Sequence, residues 1–265
     1  MIYIVVFILL FILFSVRYAW WRKEIDYKYP RILMYHMIKD PIKGKKFNKL
    51  RVSPKKFEEQ IKYLKEKGFN FITMKEVNNA PYKSVAITFD DGYEDNYTNA
   101  FPILKKYNAK ATIYLVVDRH NREWSSLKKL KNNSGELKEE PKLKDEQIKE
   151  MLKSGLIEIG SHTLTHPNLL KLNKEESKKE IFESKKIIEK IFNIKCYSFC
   201  YPFGLFKKED VELVKEAGYT NATTTNKGIS TKKEPFLLKR IAVSGKDNMF
   251  AFKLKIKIGF RGLKK

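Results

Sequence analysis

The stretch Ser84-Val-Ala-Ile-Thr-Phe-Asp-Asp-Gly92 decides how the rest of the chain is read. Its apolar residues run without polar alternation, which marks a strand covered on both faces in a sheet flanked by helices. It ends in two adjacent carboxylates, Asp90 and Asp91, followed by a glycine. In α/β folds the C-terminal ends of strands carry the reactive groups. Two carboxylates at such a place are costly unless a cation or a shared proton relieves them. In isolation, Asp-Asp-Gly reads as a solvated turn rather than a metal site.

Outward from this stretch, apolar runs and amphipathic segments alternate. Upstream, Arg31–His36 reads as a short buried strand. Ser53-Pro54 opens a helix with Phe57, Ile61 and Leu64 on its buried face and Gly68 at its stop. Downstream come a helix over Asn96–Tyr107, a strand over Ala111–Val117 and a helix over Lys144–Lys153. A strand over Leu156–Gly160, a helix over Lys174–Phe192 and a strand over Lys195–Cys200 follow. A helix over Lys207–Ala217 and strands over Tyr219–Thr223 and Phe236–Val243 complete the series. Such alternation implies parallel strands with helices outside, in a barrel or a doubly wound sheet. The polar stretch Asp118–Lys142, centred on Asn132-Asn133-Ser134-Gly135, interrupts the rhythm and reads as a functional or mobile loop.

Composition bounds the answer. The chain has 265 residues with 54 Lys and Arg against 31 Asp and Glu, a net charge of +23. With 43% hydrophobic residues it is no disordered chain, and two cysteines exclude a disulfide scaffold or a thiolate zinc cluster. The basic charge carries no nucleic-acid motif and its lysines are scattered, so no nucleic-acid partner is expected. Residues 1–21 read as a single-pass transmembrane anchor: Met1–Val16 lacks charge, and Tyr18, Trp20 and Trp21 suit an interfacial belt. A cleaved signal peptide fits less well, because no basic residue precedes the run and no small-x-small site follows it. Residues 22–30 form a linker and residues 251–265 a basic tail that could lie against anionic lipid. The basic cluster after the span favours a body on the cytoplasmic side.

Two more segments stand at predicted strand ends. In Ser161-His-Thr-Leu-Thr-His166, two of the four histidines lie four residues apart, which would bring both rings to one side of a helical turn. Joined with Asp91, His162 and His166 make two imidazoles and a carboxylate, a set that binds Zn²⁺ or a similar divalent ion with positions left open. Phe199-Cys-Tyr-Pro-Phe-Gly204 runs from a strand into a turn. Cys196 and Cys200 read as packed and inert, and His120 as surface.

Thr-Phe-Asp-Asp-Gly, His-Thr-x-x-His and Tyr-Pro-Phe-Gly, in that order, resemble the polysaccharide deacetylase family, the carbohydrate esterases with a NodB-homology domain. The likeness runs from about Arg31 to Val243, and it is closest to the poly-N-acetylglucosamine deacetylase branch. It implies an α/β fold, a distorted (β/α) barrel of about seven parallel strands over residues 31–250. It implies a divalent metal, commonly zinc, and hydrolysis of N-acetyl groups from an amino-sugar polysaccharide or glycolipid, lipid-linked sugars included. By position, Asp90 matches the general base that activates water at the metal, and Asp91, His162 and His166 match the ligands. Tyr201, Pro202 and Phe203 match the oxyanion and substrate turn, with the backbone N–H at Phe203. Family habit also places such a body at the cell surface.

The chain departs from the pattern twice. Cys200 stands where most members carry an arginine, and no histidine follows His166 to act as general acid. His36, after Ile-Leu-Met-Tyr, is the candidate acid, and Arg240 on the last strand could supply the missing cation beside Asp90. These departures also raise an alternative, a catalytically inactive barrel that binds glycan or scaffolds a membrane complex.

Overall fold

The computed structural model describes residues 2–120 and 135–262. Most of the polar stretch 118–142, and the end of the basic tail, lie outside the described residues. In chain order, α1 (Ile2–Tyr18) precedes β1 (Arg31–Tyr35) and the two-residue strands β2 (Met37–Ile38) and β3 (Arg51–Val52). Then come α2 (Pro54–Glu66), β4 (Asn70–Ile72), β5 (Ser84–Asp90), α3 (Phe101–Tyr107) and β6 (Ala111–Leu115). The chain continues through α4 (Asp145–Lys153), β7 (Ile157–Ser161), α5 (Lys174–Phe192) and β8 (Ser198–Cys200). It ends with α6 (Lys208–Glu216), β9 (Asn221–Lys227), β10 (Leu238–Ala242) and α7 (Met249–Ile258).

All strand pairs are parallel, and β1 pairs with both β5 and β10, which closes a ring of seven strands. The short β4 adds to the opening residues of β5 on the edge that β6 takes further along. The structure therefore resolves the choice between barrel and open sheet in favour of the barrel. Alternate residues face the lumen, where Ile32, Ala86, Tyr114, Cys200 and Leu238 pack with Met74 and Val77. The other set, including Leu33, Ile87, Ile113, Ile159 and Phe199, packs outward against Phe57, Ile61, Ile148, Ile181 and Leu213 of the helices. Strands buried on both faces lose the polar alternation of a half-exposed sheet, as the sequence of β5 shows.

The N-terminal end of the barrel is closed by a 3₁₀ turn, Met74–Asn79. Buried Glu158 accepts hydrogen bonds there from the Lys75 backbone (2.9 Å), Thr112 Oγ1 (2.9 Å) and Ser198 Oγ (2.9 Å). With that end plugged, the open end lies at the strand C-termini.

Three expectations change. The single-pass anchor over residues 1–21 is not supported, because no helix among the described residues is long and apolar enough to cross a membrane. Helix α1 has 17 residues. At about 1.5 Å per residue it falls short of a hydrocarbon core of about 30 Å. Ala19 takes a left-handed conformation (φ 50°) where the apolar run was expected to continue. The last turn of α1 packs on the body instead, with the Phe14 and Tyr18 rings 5.8 Å and 5.0 Å from that of Phe250. The membrane localisation and its proposed cytoplasmic or cell-surface side fall with the anchor. Second, much of the expected basic tail is α7, whose Ala251, Phe252, Leu254, Ile256 and Ile258 are buried. Third, His162 and His166 do not share a helical turn: they lie on an irregular loop after β7.

Candidate active site

Asp90 is the last residue of β5, and its carboxylate enters the open end of the barrel, 2% exposed. Arg240, fully buried on β10, grips it in a two-pronged ion pair, Nη1–Oδ1 2.6 Å and Nη2–Oδ2 2.7 Å. The remaining Arg240 donors go to the Thr224 carbonyl (2.9 Å), Thr88 Oγ1 (3.1 Å) and Cys200 Sγ (3.2 Å). The expected cation beside Asp90 thus comes from β10. Burial opposes ionisation of Asp90, but the guanidinium outweighs it and holds the carboxyl well below the usual carboxylate range. Burial likewise opposes the charge of Arg240, and Asp90 outweighs it in turn.

Asp91 turns away from the strand with φ 77°, followed by Gly92 at φ 68°. A Cβ at position 92 would meet Leu115 Cδ1 at 2.7 Å, so both conformation and space call for glycine there. The turn directs the Asp91 carboxylate at the two imidazoles. Its Oδ1 lies 3.6 Å from His162 Nε2 and 3.6 Å from His166 Nε2. One donor atom from each of the three residues falls within 4.8 Å of the others, all three buried.

The loop carrying the histidines is shaped from outside. Glu180 of α5 accepts the backbone N–H groups of Leu164 (2.9 Å) and Thr165 (2.8 Å) and the Thr165 hydroxyl (2.6 Å). Thr163 and His166 both adopt left-handed backbone (φ 70° and 57°), and Thr163 Oγ1 accepts the His166 N–H at 2.9 Å. Strained non-glycine backbone of this kind persists where surrounding contacts over-determine it, and it clusters at functional sites. His162 Nδ1 donates to the Cys200 carbonyl at 2.7 Å, which orients the ring so that Nε2 faces Asp91. An imidazole oriented by a carbonyl through its other nitrogen is the usual arrangement of a metal ligand. The buried donor set therefore fits a divalent ion.

The turn after β8, Pro202–Gly204, brings Phe203 over the histidines, its ring 4.5 Å from that of His166 and its backbone at φ 57°. Thr225 Oγ1 donates to the Phe203 carbonyl (3.2 Å), while Tyr201 and Pro202 are buried beneath, the Tyr201 ring stacked on Phe206 at 4.1 Å. Of that trio, Phe203 is the residue that meets the histidines. His36 follows β1, with Nε2 4.0 Å from Asp90 Oδ2 and a side chain 19% exposed. Asn96 Nδ2 holds the His36 carbonyl at 2.8 Å. His120 is exposed. Sequence reasoning missed Glu180 and Asn96, which act through backbone groups and carry no local signature.

Residues 77–222 match the family described as polysaccharide deacetylase. The chain is 34% identical over 234 residues to YxkH of Bacillus subtilis (strain 168), covering 85% of this chain and 75% of that one. It is 30% identical over 238 residues to poly-beta-1,6-N-acetyl-D-glucosamine N-deacetylase of Staphylococcus aureus (strain MRSA252), covering 82% and 75%. Among solved structures, the Streptococcus pyogenes deacetylase PplD in complex with acetate superposes with a TM-score of 0.70 at 30% identity, covering 84% and 95%.

Proposed function

Since the chain belongs to the polysaccharide deacetylase family, we propose that it removes N-acetyl groups from an amino-sugar glycan of the poly-N-acetylglucosamine type. The convergence of Asp91, His162 and His166 beside the Asp90–Arg240 pair carries this reading. The catalytic unit spans residues 31–250, which brings in His36 and Arg240 from outside the matched segment.

Asp91, His162 and His166 would hold a divalent ion, zinc by the nature of the donors. Bound there, it would supply Lewis acidity for activating water and polarising the amide carbonyl. Asp90 stays ionised across the neutral range and accepts the proton of the attacking water at an Oδ atom. A carboxylate this acidic keeps a proton only transiently. His36 Nε2, the imidazole nearest its free edge, delivers a proton to the departing amine nitrogen. The Phe203 N–H, held in its left-handed turn, faces the developing oxyanion. Acetate and the free amine are the products. A catalytically inactive glycan-binding barrel is the poorer account, because ligand set, base and clamp are all in place.

Purified protein with bound zinc should deacetylate an N-acetylglucosamine oligomer. Asp90→Asn should lower kcat by roughly 10²–10⁴-fold while retaining metal. His162→Ala should lose both metal and activity. Near-full activity of Asp90→Asn would refute the assigned base.

A further inference from the structure

Around the C-terminal ends of β9 and β10 lies a pocket of about 280 Å³ that the reaction above leaves unused. Five basic side chains line it, from four parts of the chain: Lys49 ahead of β3, Lys227 at the end of β9, Lys246 in the turn after β10, and Lys255 and Arg261 in and after α7. Asp247 is the one acidic residue among its lining residues. That carboxylate is already committed. It is 2% exposed, accepts the Ser244 N–H at 2.9 Å and Lys255 Nζ, and has Arg261 Nη1 at 3.7 Å.

The carbonyl end of α7 favours cations in its last turn, which accounts for Lys255. It does not account for Lys49, Lys227 and Lys246, which arrive from other elements and are exposed. Like charges gathered around one recess repel unless an anion joins them. Lys255 is 9% exposed, donates to the Ala242 carbonyl at 2.7 Å, and burial pulls its proton affinity down despite Asp247. An anion in the recess would offset that burial.

The pocket adjoins the site through the strands themselves. Lys227 stands in register with Arg240 across β9 and β10. Ala242, on its wall, is two residues beyond Arg240 and in register with Met34, two residues before His36. We propose that this pocket binds an anionic substituent, phosphate or carboxylate, on a sugar next to the one being deacetylated, so that the preferred substrate is an acidic N-acetylated glycan. The inference rests on the deacetylase reading for the identity of the sugar, but not for the binding of the anion.

The test compares three probes on the zinc-loaded full chain: a neutral N-acetylglucosamine pentamer, its 6-O-phosphorylated form and a form carrying 6-carboxylates. Binding is read by calorimetry and turnover by acetate release. At low ionic strength at least one acidic pentamer should bind about tenfold more tightly and show a KM lower by a similar factor. The stronger of the two identifies the anion. The advantage should vanish in Lys49→Glu/Lys246→Glu, while kcat/KM for the neutral pentamer stays unchanged. Equal affinity for all three probes would overturn the proposal, as would an advantage that survives the double substitution. If an acidic pentamer binds in this charge-dependent way but none is hydrolysed, the pocket stands and the deacetylase reading falls.

Discussion

Asp90 and Arg240 are each buried in a place where neither charge is tolerable alone. Breaking such a pair by removing one partner costs about 3–5 kcal/mol, because the survivor is left desolvated. Arg240→Met should therefore destabilise the fold by that order, and Asp90→Asn/Arg240→Met should recover part of the loss. The sign of the pH effect follows from the same pair. With Arg240 present the Asp90 carboxyl sits below its ordinary value, so its contribution to stability is complete above about pH 4 and lost only on further acidification. Without Arg240, burial acts unopposed and the carboxyl titrates upward. The acid limb of the kcat/KM profile should then move to higher pH in Arg240→Met. An unmoved limb would show that Arg240 does not tune the base.

Asp95 argues the same physics for an element. It ties β2 to the turn after β5, with Oδ1 accepting the Ile38 N–H at 2.8 Å and Asn96 Nδ2 at 3.0 Å. Burial, helped by Glu140, lifts its carboxyl to about 7. A raised acid stabilises the fold fully below its unfolded value near 4 and loses that contribution as pH climbs through about 7. Asp95→Asn keeps the acceptor and removes the titration. Its gain over the parent in thermal unfolding should be larger at pH 8 than at pH 5 by on the order of 3 kcal/mol. Equal differences at both pH values would exclude the assignment. How far the elements could be read from sequence depended on whether their cause was local. The helix over Lys174–Phe192 was legible to the residue, since its apolar stripe lies within it. Helix α7 was not, because Lys253, Lys255 and Lys257 gave it the look of a basic tail suited to anionic lipid. Lys255 is buried where Asp247, eight residues back, and the Ala242 carbonyl receive it. The His162 loop misled for a related reason: a spacing of four fits a helix, but Glu180 bends the backbone from another element.

For the whole molecule, the site exists only when the ring is closed. His36, just after the first barrel strand, and Arg240, on the last, meet Asp90 because β1 pairs with both β5 and β10. The proposed metal ligands come from the turn after β5 and from the loop after β7, with β6 between the two strands. The three-motif order was readable in sequence, whereas this closure, which sets which ends meet, depends on pairings between residues as far apart as Leu33 and Ile241. A divalent ion held by Asp91, His162 and His166 would bind the closed barrel and not the open chain, so binding free energy would add directly to stability. At a thousandfold excess of free zinc over Kd the gain is about 4 kcal/mol. For a domain of this size that corresponds to a rise in Tm on the order of 8–16 °C. Chelation should reverse the rise, and His166→Ala should show neither rise nor reversal while unfolding in a single transition. A parent protein whose Tm ignores both zinc and chelator would mean that the three residues do not hold the ion, however well their donor atoms converge.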